Sequence, residues 1–356
     1  MANITNQKKH DAHEIINVAV ILPVYNTALY LEECLDSFLE QTYEHFTIFA
    51  VNDGSSDNSG AILEKYAQRD SRIYVINKKN GGVSSARNVA LEKIAEDRSF
   101  DLVCFSDSDD YVTPSYIATY VEQATRHNAD YIACGWNFLD KTRLVDGGRK
   151  VDPLPITELD RDGAFRHAYA TGEWHGVRAA SASYFLSNRC FAWDVIQNER
   201  FDETMRKGED QDFLIRALLN VRKGVVVSNM NYLYRLRASS LSHLNSSPAD
   251  DMNLFMSLIT KAKSYPDSAK EGLKQRAIEL WWQSVRYAIL TNTFSQHNLQ
   301  LTEAYKRLKI FSYSIPLPSR AKKRLKLFSL GEYFLKVYFF FTNKRIKKNN
   351  KENYFD

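Results

Sequence analysis

The sequence is poor in cysteine: Cys34, Cys104, Cys134 and Cys190 are the four in 356 residues. They form no Cys-x-x-Cys pair and no cysteine-rich block, which speaks against a thiolate zinc site or a disulfide framework and predicts reduced, buried thiols. Long apolar runs are also missing, since none reaches the ~20 uninterrupted residues a spanning helix needs. The early run 15–25 contains Asn17 and Pro23 and follows the acidic Asp11 and Glu14, so it reads as a strand rather than a signal peptide. A protein of the reducing cytoplasm is the expectation. Charge of one sign is lacking too, with 47 Lys+Arg against 43 Asp+Glu and a net +4. This balance and the lack of a nucleic-acid motif argue against a nucleic-acid partner. Solenoid repeats and a Gly-rich phosphate loop after the first strand are absent as well.

What is present is a composition of 44% hydrophobic and 25% charged residues, the profile of a globular chain with a packed core. After a loose arm at 1–14, β-rich runs at 18–22, 46–51, 72–76, 102–105 and 131–134 alternate with helical spacing at 29–39, 61–66, 83–94 and 116–124. Such alternation predicts βαβ units and a parallel sheet covered on both faces. Periodicity fails from 140 to 160, where Gly147, Gly148, Pro153 and Pro155 mark a connection. Helical pattern returns at 163–170 and 213–219, and strand pieces at 225–227 and 232–234. Beyond Pro248 long helices take over, at 252–263, 271–290 and 302–311. The expected division is 15–135 and 136–246 as two halves of one α/β domain, 247–312 as a helical extension, and 313–356 as a tail.

In an open parallel sheet ligands bind beyond the carboxyl ends of the strands. Pro23-Val24-Tyr25-Asn26, Asn52-Asp53-Gly54-Ser55-Ser56-Asp57, Asn80-Gly81-Gly82 and Ser106-Asp107-Ser108-Asp109-Asp110 stand there. The second is either a turn with a helix cap or a base site, with Asp53 accepting an imide N–H and Tyr25 packing on the ring. Gly81 and Gly82 are either a permissive turn or backbone amides offered to a phosphate at a helix start, with Arg87 and Asn88 one turn inside. An extended chain puts Asp107 and Asp109 on one face and Asp110 on the other. Paired carboxylates repel unless a cation offsets them, and hard oxygen ligands suit Mg²⁺ or Mn²⁺; a solvated acidic turn is the plainer alternative.

These four motifs, in this order and spacing, resemble the family 2 inverting glycosyltransferases of the GT-A fold over residues 18 to about 134. The resemblance implies a Rossmann-like mixed sheet flanked by helices and a nucleotide-sugar donor, most often a UDP-sugar. It implies Pro23, Tyr25, Asn26 and Asp53 around the nucleoside, Gly82 and Arg87 toward the phosphates, and Asp109 as direct metal ligand with Asp107 nearer the nucleoside. It also implies a base, for which Lys207-Gly208-Glu209-Asp210-Gln211-Asp212 offers Asp210, with Glu209 as the alternate or an acceptor ligand. Acidic residues also decorate helix N-termini for the macrodipole alone, and that dipole is expected to keep Asp210 ionised; Asp212 reads as a first-turn helix residue. Arg235 and Arg237 alternate onto one face as cations for diphosphate oxygens, and His243 is a candidate metal ligand. Trp174 and His175 are candidate acceptor contacts, or in the plainer alternative a buried Trp and its neighbour.

The tail carries the basic charge: residues 319–356 hold eleven Lys/Arg and three Asp/Glu, a local +8 that leaves −4 for the rest. Aromatic residues at 333–341 between Lys/Arg clusters suit peripheral contact with an anionic membrane surface, here the inner face of the cell membrane; a helix docked on protein is the alternative. The expected activity is metal-dependent, inverting sugar transfer to a glycan or lipid-linked hydroxyl in cell-surface glycan synthesis. A non-catalytic nucleotide-sugar or glycan-binding subunit is the alternative from another class. A nucleotidyltransferase is disfavoured by the missing phosphate loop.

Overall fold

The computed structural model describes residues 15–140, 143–144, 156–169, 173–174, 177–178 and 185–235, and in the later part 254, 256, 258, 260, 265, 267–290, 294–312, 319–329 and 335. The chain divides into two compact units, 1–238 and 239–356.

The first unit is built on β1 (Val18–Val24), β2 (Phe46–Asp53), β3 (Ile73–Lys78) and β4 (Leu102–Phe105), paired parallel in the order β3-β2-β1-β4. β1 is apolar along its whole length and buried on both faces, as a central parallel strand must be. The intervening helices are α1 (Ala28–Leu39), α2 (Ser59–Arg69) and α3 (Val83–Asp97). In α1 the buried Leu31, Cys34, Leu35 and Phe38 repeat at helical spacing and seat it on the sheet.

Beyond β4 the sheet turns mixed, as the family resemblance implies and as periodicity, which shows a parallel sheet, does not. The remaining elements are β5 (Tyr111–Val112), α4 (Tyr116–His127), β6 (Tyr131–Asp140), β7 (Arg143–Leu144), β8 (Thr157–Leu159), α5 (Arg161–Tyr169), β9 (Glu173–Trp174), β10 (Val177–Arg178), β11 (Arg189–Ala192), α6 (Trp193–Ile196), α7 (Glu209–Asn220) and β12 (Gly224–Arg235). β11 inserts antiparallel between β4 and β6, and β12 runs parallel to β6 while pairing antiparallel with β5. Two antiparallel steps restore direction, so β6 and β12 point their carboxyl ends to the same edge as β1 and β4. Among the described residues β9 and β10 pair with each other alone.

All four cysteines are free and buried, and burial foremost pushes their thiols up, Cys134 to about 12.

The second unit contains α8 (Asp267–Leu290), α9 (Phe294–Ser312) and α10 (Ser319–Ser329). Trp281 is fully buried at its centre, donates to the Leu301 carbonyl at 3.1 Å and meets Tyr305 and Phe328. The apolar side of α10, with Leu325 and Phe328, is therefore docked on protein, while Lys322, Lys323 and Lys326 remain exposed. Of the aromatic stretch 333–341 only the buried Leu335 lies within the described residues. Among the described residues no helix is long and apolar enough to cross a membrane.

Candidate active site

The loops after the parallel strands meet at one edge. Asn26 sits at φ 52°, and its side-chain oxygen accepts the amides of Ser56 (2.8 Å) and Asp57 (3.3 Å). Asp57 accepts the amides of Ala28 and Ser59 at 2.9 Å each, so it holds the starts of α1 and α2 together. Desolvation raises this carboxyl, but the Ser59 and Ala28 hydrogen bonds prevail and hold it below its ordinary value. Pro23 lies in β1 just before this turn, and Tyr25 is left 52% exposed, an open ring face at the edge.

Asp53 differs from its sequence-level role. Its buried carboxylate receives Lys78 Nζ at 2.5 Å, the Gly81 amide at 2.9 Å and the Gly82 amide at 2.8 Å. The two glycine amides are thus spent on Asp53 rather than offered to a phosphate, and three donors take up most of the roughly four acceptor positions of its carboxylate. In α3, Asn88 clamps the main chain of Phe201, donating to its carbonyl (3.0 Å) and accepting its amide (2.7 Å). Its work is to hold the segment leading into α7.

The acidic stretch is a turn, not an extended strand. The Asp110 amide bonds the Asp107 carbonyl at 3.2 Å, so alternation does not govern which way the side chains point. Asp107 stays partly exposed, Asp109 is nearly buried, and Asp110 is buried. Asp110 accepts the Tyr232 hydroxyl and the Arg235 amide (2.8 Å). Burial first, then the charges of Asp109 and Asp107, push its carboxyl well above the usual range. This surplus of negative charge and the hard oxygen donors fit a divalent cation that takes its other ligands from water and a diphosphate. Among the described residues no group of three or more His, Cys, Asp or Glu is arranged to hold a metal ion by itself.

Arg87 joins the two halves of the site. Its guanidinium donates to Asp107 Oδ1 (3.2 Å) and Glu209 Oε1 (3.1 Å) and lies over the Phe201 ring at 5.2 Å. Burial opposes its charge, but Asp107, Glu209 and Asp210 outweigh that and raise its pKa. The acidic turn and the carboxylates of α7 therefore converge. That helix begins at Glu209, four residues earlier than the apolar periodicity shows, and is seated by Phe213, stacked on Phe201 at 4.2 Å with Phe105 edge-on at 5.5 Å. Asp212 is buried and paired with Arg216 in the first turns.

Asp210 is not held ionised by the helix dipole as the sequence suggested. Burial, then the charge of Glu209 beside it, push its carboxyl up to about 7, against the pull of Arg87 and the Gln211 amide. A carboxylate poised there suits proton abstraction at neutral pH.

Arg235 is turned away from the phosphate role. Its Nε donates to the Asp109 carbonyl (2.8 Å), its Nη2 to Glu33 (2.7 Å), and it covers the Tyr30 ring at 5.2 Å. It buttresses the acidic turn from behind. Arg237, His243 and His175 lie outside the described residues, and of Trp174 only the strand position is described. Motif reasoning missed Lys78, Tyr232 and Ser187, whose hydroxyl donates to Asp107 Oδ2 at 3.2 Å. Tyr232 and Tyr234, two apart in a strand that ends at the edge, carried a signal.

The family described as "Glycosyl transferase family 2" matches residues 19–181. The chain is 33% identical over 240 residues to "Uncharacterized glycosyltransferase EpsJ" of Bacillus subtilis, covering 67% of this chain and 66% of that protein. It is 31% identical to "Minor teichoic acid biosynthesis protein GgaB" of the same organism over 258 residues, 71% of this chain and 26% of that one. The chain thus spans just under two thirds of the first relative and about a quarter of the second. The fold is similar to S. aureus TarS 1–349, solved in complex with UDP-GlcNAc, with a TM-score of 0.61 at 19% identity, covering 94% of this chain and 92% of that one. This mixed sheet, with its four edge loops in order, is the GT-A arrangement, and the chain belongs to glycosyl transferase family 2.

Proposed function

We propose that the protein is an inverting glycosyltransferase that moves a sugar from a UDP-sugar to a hydroxyl of a glycan or lipid-linked acceptor in cell-surface polymer synthesis. The observation that carries this is the Arg87 bridge, which brings Glu209 and its neighbour Asp210 to the acidic turn. UDP-GlcNAc in the TarS complex and teichoic acid synthesis by GgaB supply the analogy for donor and pathway class.

Tyr25 offers its exposed ring to the uracil, with Pro23 and Asn26 shaping the turn and Asp53 fixing the glycine loop beside it. Asp210 accepts the acceptor's hydroxyl proton as that oxygen attacks the anomeric carbon; the bond from that carbon to the diphosphate breaks, its electrons leave with UDP, and the new bond forms on the opposite face. Arg87 holds Glu209 and Asp107 in place. Mg²⁺ or Mn²⁺ would be held by Asp109 with Asp107 beside it, and would neutralise charge on the departing diphosphate.

The test is UDP release from a panel of UDP-sugars with mixed acceptors, with product configuration read by NMR. Inversion, and its loss in Asp109→Ala and Asp210→Asn with folding retained, is the expected result. Asp210→Asn transferring at the wild-type rate refutes the base assignment. The exposed Lys322, Lys323 and Lys326 of α10 support peripheral contact with an anionic membrane. Changing all three to Gln should weaken sedimentation with phosphatidylglycerol vesicles, and unchanged sedimentation refutes that contact.

A further inference from the structure

Asp107, Asp109 and Asp110 put three carboxylates into four residues. They repel one another, so the turn keeps one shape only if its main chain is held from outside. Helix α1 does much of the holding. At its start Thr27 Oγ1 and Ser108 Oγ share a buried hydrogen bond of 3.0 Å, and further along Cys34 Sγ donates to the Asp107 carbonyl at 3.7 Å. The third tie runs through Arg235, the last residue of β12. The peptide between Asp109 and Asp110 is fixed at both ends: its carbonyl accepts Arg235 Nε at 2.8 Å, and its N–H donates to the Asp107 carbonyl at 3.2 Å. The Arg235 amide also donates to Asp110 Oδ1 at 2.8 Å. The buried guanidinium is held in turn by α1, where Nη2 donates to Glu33 Oε2 at 2.7 Å and the Tyr30 ring lies 5.2 Å away.

A guanidinium suits this place because Nε and Nη2 leave one edge of a rigid plane. Bonds along that edge to Asp109 and Glu33 set its orientation, which a lysine ammonium on a flexible stem would not. Locking the peptide plane sets the direction in which Asp109 leaves the main chain, and the placement of a carboxylate decides how well a hard cation is held. Charge alone acts in the opposite sense, since a buried cation beside the turn repels a second one. We propose that Arg235, anchored by Glu33, is a positioning residue that presents Asp109 to the divalent cation, an inference that rests on the transferase function above.

Calorimetric titration of the full chain with UDP, once in EDTA and once in Mn²⁺, tests it. Arg235→Lys keeps the charge and loses the planar fork, so UDP affinity in Mn²⁺ should fall about tenfold while binding in EDTA stays as in the wild type. Glu33 is half-exposed, and Glu33→Ala should lower the affinity in Mn²⁺ about threefold. Glu32→Ala removes the same charge one position away, from a pair with Lys65, and should change nothing. Were Arg235 a cation for the diphosphate, Arg235→Lys would bind like the wild type and Glu33→Ala would bind UDP more tightly; either result overturns the positioning role and leaves the transferase function standing. An equal fall in Glu32→Ala, or a fall in EDTA as large as in Mn²⁺, overturns it too. Should Arg235→Lys fail to fold, the comparison of Glu33→Ala with Glu32→Ala decides alone. A wild-type chain that gains nothing from Mn²⁺ removes the metal seat, one that binds no UDP removes the transferase function, and the positioning role goes with either.

Discussion

Asp210→Asn keeps the side-chain shape and removes the charge, so it separates catalysis from stability. The wild-type carboxyl titrates at about 7 in the folded chain against 3.8 ordinarily. Between those values the folded chain binds the proton that the unfolded chain has released, so stability falls as pH rises through the interval and the loss is complete above pH 7. Some 3 units at about 1.4 kcal/mol each set a ceiling of ~4 kcal/mol on that loss. Because Glu209 shares in the repulsion, asparagine should recover roughly 2–4 kcal/mol at pH 8. In thermal unfolding that is a Tm rise of roughly 5–10 °C at pH 8, shrinking to nothing near pH 4, where both forms are neutral. The same substitution should lower kcat by about 10²–10⁴-fold. Wild-type kcat should climb with pH to a plateau above about 7. A variant no more stable than wild type at pH 8, or a wild-type kcat flat from about pH 5.5 to 8.5, refutes the account of a buried base near neutrality.

Arg87→Met strips the bridge and leaves Asp107 and Glu209 facing each other, which should cost about 3–5 kcal/mol in urea denaturation. It also removes the charge that pulls Asp210 down, so residual activity should need higher pH; an unmoved profile contradicts this. Gly54 and Gly82 both sit at positive φ, 70° and 88°. A Cβ at Gly54 would lie 2.7 Å from the Asn80 amide nitrogen, whereas at Gly82 it would meet nothing within 4 Å. Gly82→Ala, at a backbone angle reserved for glycine (φ 88°, ψ 167°), should therefore lose the ~1–3 kcal/mol of backbone strain alone, and Gly54→Ala that strain plus the clash with Asn80; Gly54→Ala clearly the milder of the two in denaturant titrations refutes this local geometry.

The first half of the sheet, β1 to β4, was legible because its signals are local. Apolar runs such as 18–24 are continuous where a strand is buried on both faces, and Asn, Asp, Gly and Ser mark each turn at the carboxyl edge. The second half was harder to read. β11 is four residues long, too short for a period to register, yet its insertion between β4 and β6 makes the sheet mixed. Pairing Asp107 with Asp109 by alternation failed because the chain turns at Ser108 and Asp109, and the guanidinium of Arg235 could not be aimed without knowing that Glu33 waits on α1. The height of the Asp210 titration depends on burial and on Glu209 held by Arg87, contacts spanning more than a hundred positions.

The charges gathered at this edge bear on how a donor enters. Asp107, Asp109, Asp110, Glu209 and Asp210 stand within reach of one another's fields, and among the described residues Arg87 is committed to Asp107 and Glu209, and Arg235 to Glu33. A diphosphate arriving here adds further negative charge where burial weakens the screening that water would give. On the proposed function a cation accompanying the diphosphate should therefore strengthen its binding, with Asp109 and Asp107 as the proposed seat. Calorimetric titration with UDP should show weak or absent binding in EDTA and clear binding in Mg²⁺ or Mn²⁺, with Asp109→Asn losing most of the metal-dependent gain. UDP bound as tightly in EDTA as in Mn²⁺ would show that the chain itself neutralises the diphosphate, and the charge count argued from these carboxylates would then be wrong.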